Sequence, residues 1–559
     1  MIEFNEEKQG KRISDLRKKE EENLVQILSQ KYGLTYLDLS VTSINRDALR
    51  ILSEKKAREA QAVVFDITNK KINVAIRSPN SLRTREIIDE LKQKGYAPTL
   101  FMVSSQSLES AWERYKDLTY SLETKAGSLD ISGEEIARVV NTVKSVEDVK
   151  KMVHNILALK KGGQVSKILE IIIAGALATK ASDIHLEPEE GYTRLRYRLD
   201  GVLIDITDFN NEIYRLVLSR IKLIASMKIN IKNIAQDGRF TIKVEENNIE
   251  VRASAIPGAY NESIVLRILN PKSISVPLEE LGIHPRLLAV LEYEIKKPNG
   301  MILTTGPTGS GKTTTLYAFL KKVHSSEIKI ITIENPIEYH LPGIVQTQTD
   351  SKKGYTFLEG LRSALRQDPD VIMVGEIRDA ETAEIAVNAA LTGHLVFSTL
   401  HTNNAAGSFP RLIDLGVNPK VITSAIGVSM AQRLVRKLCG NCKKEMELTG
   451  AQKQTVEMIL GSISDKSYLA GLNTKTVWEH EGCQECNFTG YKGRIGVYEA
   501  IRTDESIEDI VRNNPSEREI KKAAQGQNIL SIRQDGIIKV LQGTTSLSEL
   551  RRVVDLEYE

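Results

Sequence analysis

Eight consecutive residues, Gly306-Pro307-Thr308-Gly309-Ser310-Gly311-Lys312-Thr313, carry the densest chemistry in the chain. They follow the apolar run Met301-Ile302-Leu303-Thr304-Thr305 and lead through Thr314 into Thr315-Leu316-Tyr317-Ala318-Phe319-Leu320. Strand, loop and helix thus stand in the order a P-loop requires. Three glycines let successive backbone N–H groups and a helix N-terminus converge on phosphate oxygens. Lys312 places a point charge near the β and γ phosphates, and Thr313 offers a hydroxyl to Mg²⁺. The stretch predicts a nucleoside triphosphate site.

A P-loop only holds the nucleotide; hydrolysis needs a group to position water and a second anchor for Mg²⁺. Asp370-Val371-Ile372-Met373-Val374-Gly375-Glu376 is an apolar strand ending in a carboxylate, the layout of a Walker B element, with Glu376 facing the Mg²⁺ shell. Ile331-Thr332-Ile333-Glu334-Asn335-Pro336-Ile337-Glu338 is a second such strand, and its proline stops helical continuation. Glu334 is the expected general base and Glu338 the second choice; a positioned carboxylate contributes roughly 10²–10⁴-fold. The segment Thr392 to Asn403 brackets a strand with His394 and His401, two of only eight histidines. A structural histidine would read the same way there.

All four cysteines fall in two pairs, Cys439-Gly-Asn-Cys442 and Cys483-Gln-Glu-Cys486. Paired C-x-x-C knuckles predict one tetrahedral Zn²⁺ site, closed by four thiolates and therefore structural rather than catalytic. The chain has 559 residues, too many for one core, so three or four domains are expected. The longest nearly apolar stretch, around Ile168 to Ala178, is interrupted by Glu170 and falls short of the roughly 20 residues of a membrane span. A net charge of +3 and 5% aromatics argue against a nucleic-acid partner. The start Met-Ile-Glu-Phe-Asn-Glu-Glu lacks the order of a secretory signal, so a cytoplasmic location is expected. Residues 5–26 read as an exposed helix. The run from Leu122 to Val146 reads as a linker, and a short polar connection is expected near Pro271 to Pro277.

The P-loop, the acidic box at 331–338, the run Arg366-Gln-Asp-Pro-Asp-Val-Ile-Met-Val-Gly-Glu-Ile-Arg-Asp379 and the histidine box, in this order, resemble the secretion ATPases of type II secretion and type IV pilus assembly. The resemblance covers everything from about Val165 onward. It implies a multidomain α/β chain: an N-terminal α/β docking domain (1–122), a linker (123–162), a second α/β domain (163–272), a RecA-like P-loop ATPase domain (279–438), a tetracysteine zinc insert (439–490) and a C-terminal helical subdomain (491–559). The second domain is marked by Ala181-Ser-Asp-Ile-His-Leu-Glu-Pro188 and Gln236-Asp-Gly-Arg-Phe240. By motif its Arg252 and Arg267 are sent to the nucleotide, in a site shared between neighbouring subunits. Arginine suits that task through its planar, permanently charged fork.

The activity implied is that of a homo-hexameric, Mg²⁺-dependent ATPase that acts through an inner-membrane platform protein, peripheral to the membrane, to assemble type IV pili. Type II secretion stands second and a nucleotide-sensing scaffold without turnover third. Three residues depart from the family pattern: Asn335 for aspartate, Asn404 for an acidic residue and Asn261 for glycine. Tyr36-Leu-Asp-Leu39, with the helix and strands after it, resembles the first domain of pilus assembly ATPases. The run Lys11-Arg-Ile-Ser-Asp-Leu16 departs from Arg-Leu-Gly-type motifs that bind cyclic di-GMP, so partner docking is the expected use of this domain.

Overall fold

Alternation of apolar and polar residues fixes which sheet faces are buried here, while unbroken apolar runs mark strands buried on both faces. In the computed structural model, residues 20–39, 42, 44–49, 51–68, 70–115, 128–129, 133–158, 164–244, 247–270, 276–513 and 515–557 are described. The start of the expected N-terminal helix, the run 11–16 and most of the connection at 271–277 lie outside these residues. The chain divides into two units, Met1–Lys125 and Ala126–Glu559.

The first unit carries β1 (Thr35–Tyr36), β2 (Ala62–Thr68), β3 (Lys71–Ile76) and β4 (Ala97–Met102) in the order β1-β4-β3-β2. β4 pairs parallel with β1 and β3, and β2 pairs antiparallel with β3. Val63, Val64, Ile72, Val74 and Ile76 form its buried centre.

The second unit holds two seven-stranded sheets. The first is built from β5 (Ser128–Leu129), β6 (Asp183–Pro188), β7 (Tyr192–Leu199), β8 (Val202–Asn210), β9 (Gln236–Val244), β10 (Asn247–Ile256) and β11 (Ser263–Leu269), in the order β5-β9-β10-β11-β6-β7-β8. All its pairings are antiparallel except β5 with β9. In β7, Leu195 and Tyr197 are buried while Arg194, Arg196 and Arg198 project from the opposite face. The apolar face is covered by helices α1 (Gln164–Ala178) and α2 (Asn211–Ile224). Beneath α2 a buried ion pair joins Lys222 to Glu262 at 2.5 Å, and Lys222 also donates to the Ile231 carbonyl at 2.7 Å. Asn261 accepts from the Glu262 N–H at 2.9 Å, so the residue that departs from glycine helps hold this turn.

Where a linker is expected, the described residues are largely helical. Gly133–Thr142 and Val146–Ala158 are helices whose Ile136, Val149 and Val153 enter the same core. Ile136, Val139, Val140 and Val143 have helical spacing, which the flanking glycines and serines obscured.

The second sheet contains β12 (Gly300–Thr305), β13 (Ile330–Glu334), β14 (Val345–Gln348), β15 (Val371–Val374), β16 (Leu395–Leu400), β17 (Ile426–Leu438) and, after the hairpin β18 (Lys443–Glu447) and β19 (Thr476–His480), β20 (Tyr491–Arg502). Its order is β14-β13-β15-β16-β12-β17-β20, parallel throughout except for β17 with β20. Residues 491–502, expected in a helical subdomain, are therefore the edge strand of this sheet. The cysteine-bearing insert likewise shares a core with it: Leu448, Val456, Ile459 and Val477 pack in one cluster with Met301 and Val396. No described helix is long and apolar enough to cross a membrane.

Candidate active site and metal centre

The P-loop joins β12 to helix α3 (Lys312–Val323), whose N-cap, Gly311, has φ +92°. A side chain at Gly306, φ +143°, would meet the Gln432 carbonyl at 2.6 Å and the Ser310 hydroxyl at 2.8 Å, so only glycine fits this approach. Lys312 folds over the loop and donates to the carbonyls of Gly306 at 2.8 Å and Pro307 at 3.2 Å. Burial pulls its ammonium below the ordinary lysine range, and the Glu376 carboxylate opposes the shift. Thr313 and Thr314 open α3 beside it.

The acidic box divides into two unlike carboxylates. Glu334 ends β13 almost fully buried. One oxygen accepts from the Tyr317 hydroxyl; the other accepts from Thr332 at 2.5 Å and from the Gln346 amide at 3.0 Å. Three donors from a helix, its own strand and an edge strand thus converge on this carboxylate. Glu338 is half-buried and faces arginine: Nη1 of Arg252 lies 3.5 Å from its Oε2. Burial raises its pKa above the ordinary glutamate value, and Arg252 and Arg267 counter the rise.

Glu376 emerges just past β15, where its oxygens meet Arg378 at 2.6 Å and the imidazole of His401 at 3.2 Å. His401 follows β16 at its carboxyl end, where parallel sheets bind ligands. His394 does not reach this place. It precedes the same strand, its Nδ1 stands 3.1 Å from the Ala389 carbonyl, and its own carbonyl accepts from Gly300 at the amino end of β12. The polarity of a parallel strand thus removes His394 from the candidate catalytic set.

Arg252 reaches the acidic box of its own chain, donating also to the Ile337 carbonyl at 2.7 Å and to Glu250 at 3.1 Å. These are contacts within one chain, on the acidic box that a site shared between subunits would also use. Arg267 pairs with Asp183 at 3.0 Å. Register aligns more than these two: Arg239 of β9, Arg252 of β10, Arg267 of β11, Asp183 of β6 and Arg198 of β7 stand directly opposite one another in turn. Arg267 and Arg198 pair with Asp183 and Arg252 with Glu250 and Glu338; directly opposed like charges destabilise a sheet, so this arginine-rich row makes a face suited to an anion. Sequence reasoning missed Arg239 and Arg198 as site residues, although Arg239 lies within the marker run Gln236-Asp-Gly-Arg; only strand register reveals the row.

Among the described residues, the four cysteines form the single cluster of three or more His, Cys, Asp or Glu side chains able to hold a metal, with all Sγ atoms within 4.8 Å of one another. Cys439 and Cys483 are 3.8 Å apart, Cys442 and Cys486 3.8 Å, and Cys483 and Cys486 3.7 Å. Thiolates about 2.3 Å from a tetrahedral zinc lie roughly 3.8 Å from one another, so the four fit the ion. Burial, with the Cys486 thiol beside it, pushes the Cys442 thiol up to about 12.

Residues 158–552 match the family described as type II/IV secretion system protein, and residues 32–122 match the MshEN domain. The chain is 35% identical to the type IV pilus assembly ATPase PilB of Myxococcus xanthus over 552 residues, covering 98% of this chain and 94% of that protein. It is 42% identical to the type II secretion system protein E of Aeromonas hydrophila over 389 residues, covering 70% of this chain and 75% of that one. Among solved structures, the ATPase DotB of Legionella pneumophila shares the fold: TM-score 0.50, 22% identity, 69% of this chain and 95% of that one. The chain belongs to the type II/IV secretion system protein family, as a secretion or pilus assembly ATPase.

Proposed function

We propose that this chain is a Mg²⁺-dependent ATPase motor that powers type IV pilus assembly as a homo-hexamer, acting on an inner-membrane platform protein. The observation that carries the motor reading is the contact of Arg252 with Glu338. A residue of the first sheet rests on the acidic box of the second, so a change in charge at the phosphates alters how the two sheets face each other. The choice of pilus assembly rests on the match to PilB, which spans both units, whereas the match to the Aeromonas protein covers 70% of the chain.

In this reading the P-loop amides and Lys312 hold the triphosphate, and Thr313 and Glu376 would hold Mg²⁺, which supplies charge neutralisation at the phosphates. His401 and Arg378 orient Glu376. Glu338 takes the proton from the attacking water, in place of Glu334, which fixes the end of β13. Arg252, released from Glu338, turns to the developing γ-phosphate charge, with Arg267 beside it. The cysteines would hold Zn²⁺ as a structural centre.

Phosphate release by the purified full chain tests the enzyme claim. MgATP turnover that Lys312→Ala abolishes is expected, and binding without turnover would favour the sensing scaffold. Introducing Lys312→Ala in the host separates the two machines: loss of surface pili with normal exoprotein release is expected, and the reverse pattern would assign the chain to type II secretion.

A further inference from the structure

One cation beside the P-loop has no part in the mechanism above. β12 ends with Thr305 opposite Ala431 of β17, and β17 runs on to Leu438. Gln432 and Arg433 therefore lie just beyond the carboxyl edge of β12, level with the start of the P-loop. Gln432 donates to the Ser310 carbonyl at 2.7 Å and so fastens the loop. Arg433 Nη1 comes within 3.1 Å of the point a Cβ on Gly306 would occupy.

The hydrogen bonds of this guanidinium run to carbonyls, not to carboxylates. Nη1 donates to Gln432 at 3.0 Å and Nη2 to Asn403 at 2.6 Å. Among the described residues it makes no ion pair, and Glu499 is the anion whose field it feels while burial opposes its charge. Its field also reaches Lys312, whose charge it disfavours. Two half-buried cations at one glycine-rich loop gain most from a polyanion bound between them. The Asn403 bond adds a second link, because residues 401–404 carry His401, which touches Glu376 at 3.2 Å.

We propose that Arg433 is a positioning residue for ATP hydrolysis. It is the second cation of the phosphate loop, holds the 401–404 loop against the P-loop, and favours a nucleoside triphosphate over a diphosphate. The proposal rests on the ATPase reading above.

The test compares the full-length wild type with Arg433→Gln and Arg433→Lys. Fluorescent ATP and ADP are titrated with Mg²⁺ present, and steady-state phosphate release is measured alongside. Arg433→Gln should weaken ATP by roughly tenfold or more and ADP by much less, with kcat/KM falling in step. Arg433→Lys should regain ATP affinity through its charge, yet keep a several-fold deficit in kcat because lysine lacks the fork that spans two carbonyls. An ATP-to-ADP affinity ratio in Arg433→Gln equal to that of the wild type overturns the proposal, even if both affinities drop together, since that is what a purely structural arginine would give. If Arg433→Gln does not fold, Arg433→Lys decides: a wild-type kcat overturns the proposal and a deficit with retained ATP affinity supports it. A wild type that neither binds nor hydrolyses MgATP removes the ATPase reading and the proposal with it; a wild type that turns over at the rate of Arg433→Gln removes the proposal alone.

Discussion

The two large sheets have equal strand counts and present chemistry in opposite ways. The P-loop sheet is almost wholly parallel, buried on both faces, and offers its groups from strand ends: Gly306 after β12, Glu334 at the end of β13, Glu376 after β15 and His401 after β16. The preceding sheet is antiparallel, buried on one face, and offers Arg239, Arg252, Arg267 and Arg198 from the middle of the other. A strand end with its loop is contiguous in sequence, whereas a row across a sheet gathers one residue from each of several strands. The first kind of site is compact and local in sequence; the second is a broad charged surface assembled across several strands.

The largest effect is expected where one module touches both sheets. The tetracysteine knuckle sits between β17 and β20, yet the side chain of its Asn487 accepts from the Val146 N–H at 2.8 Å, and the Gly493 N–H donates to Asp200 at 2.8 Å. Structural zinc in finger peptides carries about 10–16 kcal/mol of apparent binding free energy. Replacing Cys439 and Cys483 with serine should abolish bound zinc and open residues 439–490 to protease, both read on the purified chain. Zinc retained at the wild-type level would remove the metal assignment. Substantial nucleotide binding is expected to remain, because the P-loop is built on β12 and α3 rather than on the knuckle.

Next come the strand-end groups. Lys312→Ala should remove nucleotide binding itself. Glu338→Gln should keep binding and lower turnover by roughly 10²–10⁴-fold, the usual contribution of a positioned base. Glu334→Gln should instead lower thermal stability, because Tyr317, Thr332 and Gln346 all donate to that carboxylate and an amide cannot accept them all. Turnover lost in Glu334→Gln and normal in Glu338→Gln, with both variants folded, would restore the assignment suggested by sequence.

The open face is tested by pH. A general base at Glu338 would act only when ionised, and its carboxyl is held above the usual range near 4.3 by burial, with Arg252 restraining the rise. The rate should therefore increase with pH through a step above the ordinary glutamate value. Arg252→Ala removes the restraint and should move that step to higher pH while also lowering the plateau. An acid limb that stays in place in Arg252→Ala would separate the arginine from this carboxylate.

How much of the site was legible in the sequence divides along the same line. The P-loop, Glu376, Glu338 and the cysteine pairs are legible as candidates because each is a short run of sequence beside an apolar strand. Glu334 and Glu338 are both legible as candidates, but what distinguishes them is Tyr317 and Gln346, which reach Glu334 from a helix and an edge strand. His394 and His401 look equivalent as brackets of one strand and differ only in which end they occupy. Arg198 and Arg239 are 41 residues apart in the chain yet belong to one row, a relation that pairings of β6, β7, β9, β10 and β11 create. The helices at 133–142 and 146–158 carried a readable apolar period, and their glycine- and serine-rich surroundings hid it.

Arg239 gives the smallest effect and the finest test of the row. It is exposed, directly opposite Arg252, and without a described carboxylate partner at ion-pair distance. A residue kept only for folding would not be placed there, since an opposed like charge works against the sheet. Arg239→Gln should therefore raise the melting temperature by about 1–3 °C as the repulsion is relieved. The same change should lower kcat/KM for MgATP by about two- to fivefold, because an exposed guanidinium adds only a screened share of the field at the phosphates. The deficit should deepen at low ionic strength, where wild-type Arg239 contributes most, and fade as salt is added. Stability and activity moving in opposite directions is the signature of a charge held for a ligand rather than for the fold. A variant that loses both together would mean that Arg239 serves the sheet, and the anion face would then begin at Arg252.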